Sequence, residues 1–138
     1  MPADQLSPKE QRLYKMQIML PEIGEEGQIQ LKQSRILVIG VGGLGTPILQ
    51  YLSAGGVGHI GIVDNDQVDE SNLQRQILFG VKDLGKLKAI IARERLSKLN
   101  SDVNFEIFNF RLDKKISLKW SGTMIWFLML LIIFQPVT

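Results

Sequence analysis

Ile36-Leu37-Val38-Ile39-Gly40-Val41-Gly42-Gly43-Leu44-Gly45 is the stretch whose reading decides the fold. Four consecutive apolar residues are what a strand buried on both faces of a parallel sheet requires. The turn Gly40-x-Gly42-x-x-Gly45 follows at once, and its glycines permit a tight bend and close approach of backbone to a phosphate. A helix starting near Gly43 would then turn its free N–H groups toward the anion. A second apolar run, Ile60-Gly61-Ile62-Val63, ends at Asp64, 19 residues after Gly45. That spacing suits a carboxylate accepting hydrogen bonds from ribose hydroxyls. Together these features predict a mononucleotide-binding βαβ unit.

Working outward, the periodicity predicts a helix over about Pro8 to Met19 and a second over about Glu25 to Gln33. Past the glycine turn, a helix is expected through Ala54, then a strand to Val63. Asp66 to Gly80 reads as a loop with short helical pieces. A long amphipathic helix is expected from about Lys82 to Leu99, with Leu84, Leu87, Ile90, Ile91 and Leu96 on its apolar face. Asn100-Ser101-Asp102 breaks it, and Val103 to Phe108 forms a third strand. His59, the only histidine, is expected at the surface in the turn before the second strand.

The glycine turn alone is weak evidence of chemistry. Asp64-x-Asp66-x-Val68-x-x-Ser71-Asn72-Leu73-x-Arg75-Gln76 is far more specific. An oxidoreductase that binds NAD or FAD has no use for Asn72 and Arg75 arriving just after the acidic strand end. On these residues the chain resembles the ubiquitin-activating-enzyme-like adenylyltransferases (ThiF/MoeB/HesA type), whose bacterial members serve molybdopterin and thiamine biosynthesis. The resemblance runs from about Arg12 to Leu112. It implies an α/β, Rossmann-like nucleotide-binding fold, with two N-terminal helices over 1–34 and an ATP-binding half-domain over 35–112. It also implies a reaction in which the C-terminal glycine carboxylate of a ubiquitin-like sulfur-carrier protein attacks the α-phosphorus of ATP. An acyl-adenylate forms and pyrophosphate leaves.

By that resemblance Asp64 holds the ribose, Gly40, Gly42, Gly43 and Gly45 line the nucleotide, and Asn72, Arg75 and Lys88 face the phosphates. Arg75 and Lys88 would be the catalytic cations. The planar fork of Arg75 can hold two oxygens, while Lys88 offers a compact charge. Asp66 belongs to the same set, or shapes the loop. Two positions depart from the family pattern. Gly85-Lys86-Leu87-Lys88 has Leu87 where the family has proline, which would set the helix entry. Tyr14-Lys15-Met16-Gln17-Ile18 has Met16 where the family has an arginine that reaches into a neighbouring subunit's site. Methionine cannot neutralise phosphate, and Lys15 or Arg12 would point elsewhere on a helix.

Composition bounds the remaining choices. The chain has 138 residues, enough for one domain with a respectable core, and a net charge of +2 that implies no nucleic-acid partner. It has no cysteine, so disulfides and the zinc-binding cysteine pairs of many family members are absent. Met1 to Ser7 is a polar lead-in without a signal-peptide pattern, and a cytoplasmic protein is expected.

After Lys115 the character changes: Trp120 to Phe134 is almost wholly apolar where a fourth strand and an acidic loop should follow. The unbroken apolar run from Met124 to Phe134 has 11 residues, against the ~20 that a membrane span requires. The genetic code suggests another origin. Permitted codons for Leu128 to Thr138 and a TGA stop, read one base earlier, yield Asp-Ala-Thr-Asp-Asn-Phe-Pro-Thr-Arg-Tyr-Leu, the family's next motif. Thr123 to Phe127 likewise become Asp-Tyr-Asp-Met-Val, and an adenine run encoding Lys114-Lys115 is a natural slippage site. Residues 113–138 are therefore expected to be an out-of-frame tail, with the sheet incomplete after its third strand. The expected Mg²⁺-linked carboxylate, the homodimer interface and the carrier-binding surface would be lost, leaving an inactive fragment with an exposed sticky segment. Two other functions stay open: an NAD- or FAD-binding oxidoreductase domain, and a non-catalytic nucleotide-binding or small membrane-associated protein.

Overall fold

The computed structural model of the chain describes residues 4–109 and the backbone of Trp126–Leu128. Helices α1 (Pro8–Leu13), α2 (Lys15–Ile18) and α3 (Gly24–Gln33) come first. Strand β1 (Arg35–Ile39) then leads through the glycine turn to α4 (Gly45–Gly55), β2 (His59–Val63), α5 (Lys88–Leu99) and β3 (Asn104–Phe108). A short strand β4 (Trp126–Leu128) completes a parallel sheet of order β3-β2-β1-β4.

The Rossmann-like class expected from the sequence is what the chain adopts. The sheet nevertheless goes one strand beyond the three expected, because β4 pairs with β1 at Ile36↔Trp126, Leu37↔Phe127 and Val38↔Leu128. On its other edge β1 pairs with β2 from Arg35↔His59 to Ile39↔Val63. The chain thus leaves β1 toward one side and returns on the other, which opens a crevice beyond the carboxyl end of β1, where such sheets bind ligands. The remainder of the out-of-frame reading of 113–138 lies outside the described residues.

Burial follows the apolar runs. Leu37, Val38 and Ile62 are fully buried, each contributing about 1.5–3 kcal/mol of hydrophobic stabilisation. Val38 and Ile62 join Val41, Leu49, Ile91 and Leu96 in one core between the sheet and helices α4 and α5. No helix among the described residues is long and apolar enough to cross a membrane.

Three local expectations are corrected. The single helix over Pro8 to Met19 starts as foreseen, with Ser7 and Glu10 exchanging a capping box and Pro8 in the first turn. It breaks at Tyr14, however, whose φ of −99° and ψ of 14° turn the ring into the core. There the Tyr14 hydroxyl accepts from Asn100 Nδ2 at 2.7 Å. The second correction is the start of α5, at Lys88 rather than Lys82. Val81–Asp83 forms only a 3₁₀ turn, and Gly85 has a φ of +78° that no continuing helix tolerates. The intervening backbone pairs with Val68 instead, through Val68 N to Lys86 O and Gly85 N to Val68 O, both 2.9 Å. Third, His59 is the first residue of β2 and partly buried beside Arg35, not a surface turn. Burial, and then the Arg35 charge, hold its pKa below the ordinary value.

The N-terminal helices attach to the carboxyl end of α4 through buried polar groups. Gln28 Nε2 and Gln17 Nε2 both donate to Gly55 O, at 2.9 and 3.0 Å, and Gln17 also donates to Gln28 Oε1. Gly56 caps α4 at φ +90°. A β-carbon there would stand 2.6 Å from Gln28 Nε2 and 2.7 Å from Tyr14 Cζ, so both backbone and neighbours demand glycine.

Candidate nucleotide site

The glycine turn is built by mutual contact. Gly40, at φ +90°, donates its N–H to Val63 O at 2.9 Å, tying the turn to the end of β2. A β-carbon on Gly45 would stand 1.9 Å from the Gly40 carbonyl oxygen, so only glycine lets the chain fold back this tightly. Thr46 donates from both its N–H and its Oγ1 to Gly42 O, at 3.0 and 2.9 Å, anchoring the first turn of α4. The helix proper begins at Gly45, two residues later than the sequence suggested.

Asp64 stands beside this turn at the end of β2. Its Oδ2 accepts from Val41 N and its Oδ1 from Asp66 N, both at 2.7 Å. Burial pushes the carboxyl pKa up. The two N–H bonds and the Lys88 charge pull it down, the Asp66 charge adds to the rise, and the net shift is upward. Each carboxylate oxygen retains a lone pair for a further donor. The carboxylate expected to hold a ribose is therefore clamped onto the glycine turn itself.

Lys88 and Arg75 reach the same place by different routes. Lys88 opens α5, its N–H donating to Asp66 O at 3.0 Å. Leu87 before it has φ −66° and ψ 125°, the φ that a proline ring would impose, so the departure from the family pattern leaves the helix entry intact. The Lys88 side chain is buried, at 6% exposed, and none of the ion pairs among the described residues includes it. Its charge is felt by both Asp64 and Asp69, opposing the upward shift of the first and adding to the downward shift of the second. Arg75 is exposed and lies across Gly43, its Cδ and Nε 3.4 and 3.5 Å from where a β-carbon at Gly43 would be. Its Nη1 donates to Ser71 O at 3.0 Å.

Asn72 and Asp66 are less direct. Asn72 Oδ1 accepts from Asp69 N at 2.9 Å, closing the 3₁₀ turn Glu70–Asn72. Asp69 answers by accepting from Ser71 N and Oγ, which hold its pKa below the ordinary value. Asp66 contributes its backbone, between Asp64 and Lys88, while its side chain is exposed. Met16 is 76% exposed on α2. The motif around it is held by Tyr14 and Gln17, which pack onto α4 and α5.

One residue of the site was quoted in the motif but given no role. Gln76, at 3% exposed, lies beneath the turn with its Nε2 3.9 Å from where a β-carbon at Gly42 would stand. The only advance signal was its place directly after Arg75. Among the described residues no three His, Cys, Asp or Glu side chains are grouped as metal ligands. The carboxylate expected to hold Mg²⁺ falls within the out-of-frame reading of 113–138, outside the residues whose side chains are described.

Comparison with known proteins places this arrangement. The chain is 56% identical over 99 residues to the "Probable molybdopterin-synthase adenylyltransferase" of Porphyra purpurea, covering 72% of this chain and 26% of that one. It is 46% identical over 106 residues to the "Sulfur carrier protein adenylyltransferase" of Thermus thermophilus, covering 77% of this chain and 39% of its relative. The chain thus spans well under half the length of these curated relatives. Among solved structures, that of PaaA superposes with a TM-score of 0.82 at 28% identity, over 94% of this chain and 43% of PaaA. The ThiF family model matches residues 14–126, most of the chain, and the chain belongs to the ThiF family.

Proposed function

We propose that this chain is the ATP-binding portion of an adenylyltransferase that activates the C-terminal glycine of a ubiquitin-like sulfur-carrier protein, of the molybdopterin or thiamine type and acting in the cytoplasm. The observation that carries the reading is Lys88, a buried ammonium outside every ion pair among the described residues, next to Asp64 and the glycine turn. Carboxylates lie near it without pairing directly, which leaves its donors open to a phosphate. In this reading Asp64 holds the ribose while Gly40, Gly42, Gly43 and Gly45 admit the phosphates close to the backbone. Lys88 and Arg75 neutralise charge on them, Asn72 keeps the Arg75 turn in shape, and Asp66 shapes the loop.

The names of the relatives, both adenylyltransferases, support this class over an oxidoreductase. The attacking group would be the carrier's carboxylate and the leaving group pyrophosphate. Positioning of the two by the turn and the two cations would supply much of the catalysis. The out-of-frame reading of 113–138 adds that this chain alone binds ATP without completing the transfer.

The test is thermal denaturation and calorimetry of the 138-residue chain with ATP, NAD and FAD. ATP is expected to bind and raise the melting temperature. Lys88→Met should weaken ATP binding by about 10- to 100-fold, the value of a hydrogen bond to a charged group, without lowering the stability of the free chain. NAD or FAD binding with no response to ATP would overturn the proposal. Carrier-dependent exchange of pyrophosphate into ATP by this chain would overturn its inactivity while keeping its class.

A further inference from the structure

Arg75 and Lys88 stand at opposite ends of one stretch of chain, and an ion pair ties that stretch to α5. Arg95 follows Lys88 on α5 by seven residues, about two helical turns. Its Nη1 donates to Leu78 O and stands 2.6 Å from Asp83 Oδ2. The same Oδ2 accepts from Gly80 N at 2.7 Å. The Asp83 side chain is 4% exposed, so one carboxylate oxygen out of water holds both α5 and the turn at Gly80.

Little else gives the stretch a direction. Among the described residues, the hydrogen bonds between main-chain groups of residues 76–84 and others stay within 72–86. Leu78 and Phe79 are buried in the core, but apolar packing is non-directional. Arg75 sits just before this stretch and is continuous with it: Gln76 N donates to Asn72 O at 2.9 Å, and Phe79 N to Gln76 O at 3.1 Å. Lys88 is held separately, by Lys88 N to Asp66 O and by the pairing of Gly85 and Lys86 with Val68. Compared with an apolar pair, a partly buried ion pair gains little net stability, because desolvation offsets attraction; what it adds is a fixed geometry.

We propose that Arg95 is a positioning residue: through Asp83 and Leu78 O it fixes the segment after Arg75 against α5, and so holds the Arg75 side chain across Gly43. This rests on the ATP-binding reading above and deepens it, assigning the placement of one site cation to a third basic residue. Arg95 acts through Arg75 and not through Lys88, whose own main-chain bonds already place it.

The ATP affinity of the full chain, measured by calorimetry well below the melting temperature, reads this role. Arg95→Met keeps the apolar stem and removes the guanidinium. It should weaken ATP binding about tenfold, the loss expected for one charge-assisted contact. A double-mutant cycle separates positioning from general loosening. In an Arg75→Met background Arg95→Met should change ATP affinity by less than about twofold, while in a Lys88→Met background the loss of about tenfold should persist. The wild-type chain gives a second reading that needs no variant: by reciprocity, saturating ATP should slow amide exchange at Gly80 about tenfold. ATP binding by Arg95→Met within about twofold of wild type, or Gly80 exchange indifferent to ATP, would overturn the assignment. So would a loss that persists with Arg75→Met or vanishes with Lys88→Met. Each of these leaves the ATP-binding reading standing, whereas a wild-type chain that binds no ATP overturns that reading as well.

Discussion

Replacing Asn100 with alanine tests the link between the N-terminal helices and the nucleotide-binding unit. Asn100 is 3% exposed and makes three hydrogen bonds through one side chain. Its Nδ2 donates to Tyr14 Oη at 2.7 Å and to Ser53 O at 2.8 Å, and its Oδ1 accepts from Asp102 N at 3.1 Å. Three bonds at about 1 kcal/mol each, plus the penalty for leaving the buried Tyr14 hydroxyl without this donor, predict a loss of about 3–4 kcal/mol. That is a large part of the 5–15 kcal/mol typical of a domain. Tyr14→Phe removes one bond and leaves Asn100 its other two, so it should cost only about 1 kcal/mol. The two residues touch, and the double variant should therefore be more stable than the sum of the single changes by about 1 kcal/mol. Urea unfolding followed by far-UV circular dichroism measures all four chains. A cost for Asn100→Ala below about 1 kcal/mol with an unchanged urea slope, or strict additivity with Tyr14→Phe, would refute the pin.

Gly45→Ala places a β-carbon 1.9 Å from Gly40 O, where ordinary contact begins at 3.4 Å. It should cost about 3 kcal/mol by overpacking and abolish ATP-dependent stabilisation. Gly85→Ala is the control: its φ is +78° with nothing within 4 Å, so only backbone strain of about 1–2 kcal/mol is expected. Equal costs in calorimetric melting would contradict the close contact. The pH dependence of stability has a stated sign. Burial pushes the Asp83 carboxyl up, but the Gly80 N–H and Arg95 outweigh it, and its pKa lies below the ordinary 3.8. Glu10 is shifted the same way, its burial outweighed by Ser7 and Lys32. Their stabilisation is fully present above the ordinary carboxylate values and is lost as pH falls through the lower folded ones. The stability gap between wild type and Asp83→Asn should therefore be constant near neutrality and narrow below about pH 4. A gap that widens on acidification, measured by urea titration at each pH, would reverse the sign.

Much of the fold was legible in the residues. The unbroken Ile36–Ile39 run, the glycine turn and Asp64 after the second run specify β1, α4 and β2, because strand burial and a phosphate-sized turn leave few other choices for such residues. Arg75 and Lys88 could be singled out in advance as candidates, since they stand in a motif more specific than scattered surface charge. Elsewhere local signals were misleading. The helical pattern from Lys82 to Leu99 continued through Gly85, yet pairing with Val68, a partner distant in sequence, holds the residues before Lys88 in turns. Tyr14 sat in an apparently continuous helix, and its break answers to Asn100, 86 residues away.

The sequence by itself determined the class of the chain, its glycine turn and the candidate site residues, since each of these depends on local geometry or on residue type at fixed spacing. Only the tertiary structure decided which of those residues are mutually held. It clamps Asp64 onto Val41, buries Lys88 outside the ion pairs of the described residues and encloses the Gln76 Oε1 without a hydrogen-bond partner. Burial and hydrogen-bond satisfaction are properties of neighbours brought together by folding. Periodicity and spacing along one chain do not record them.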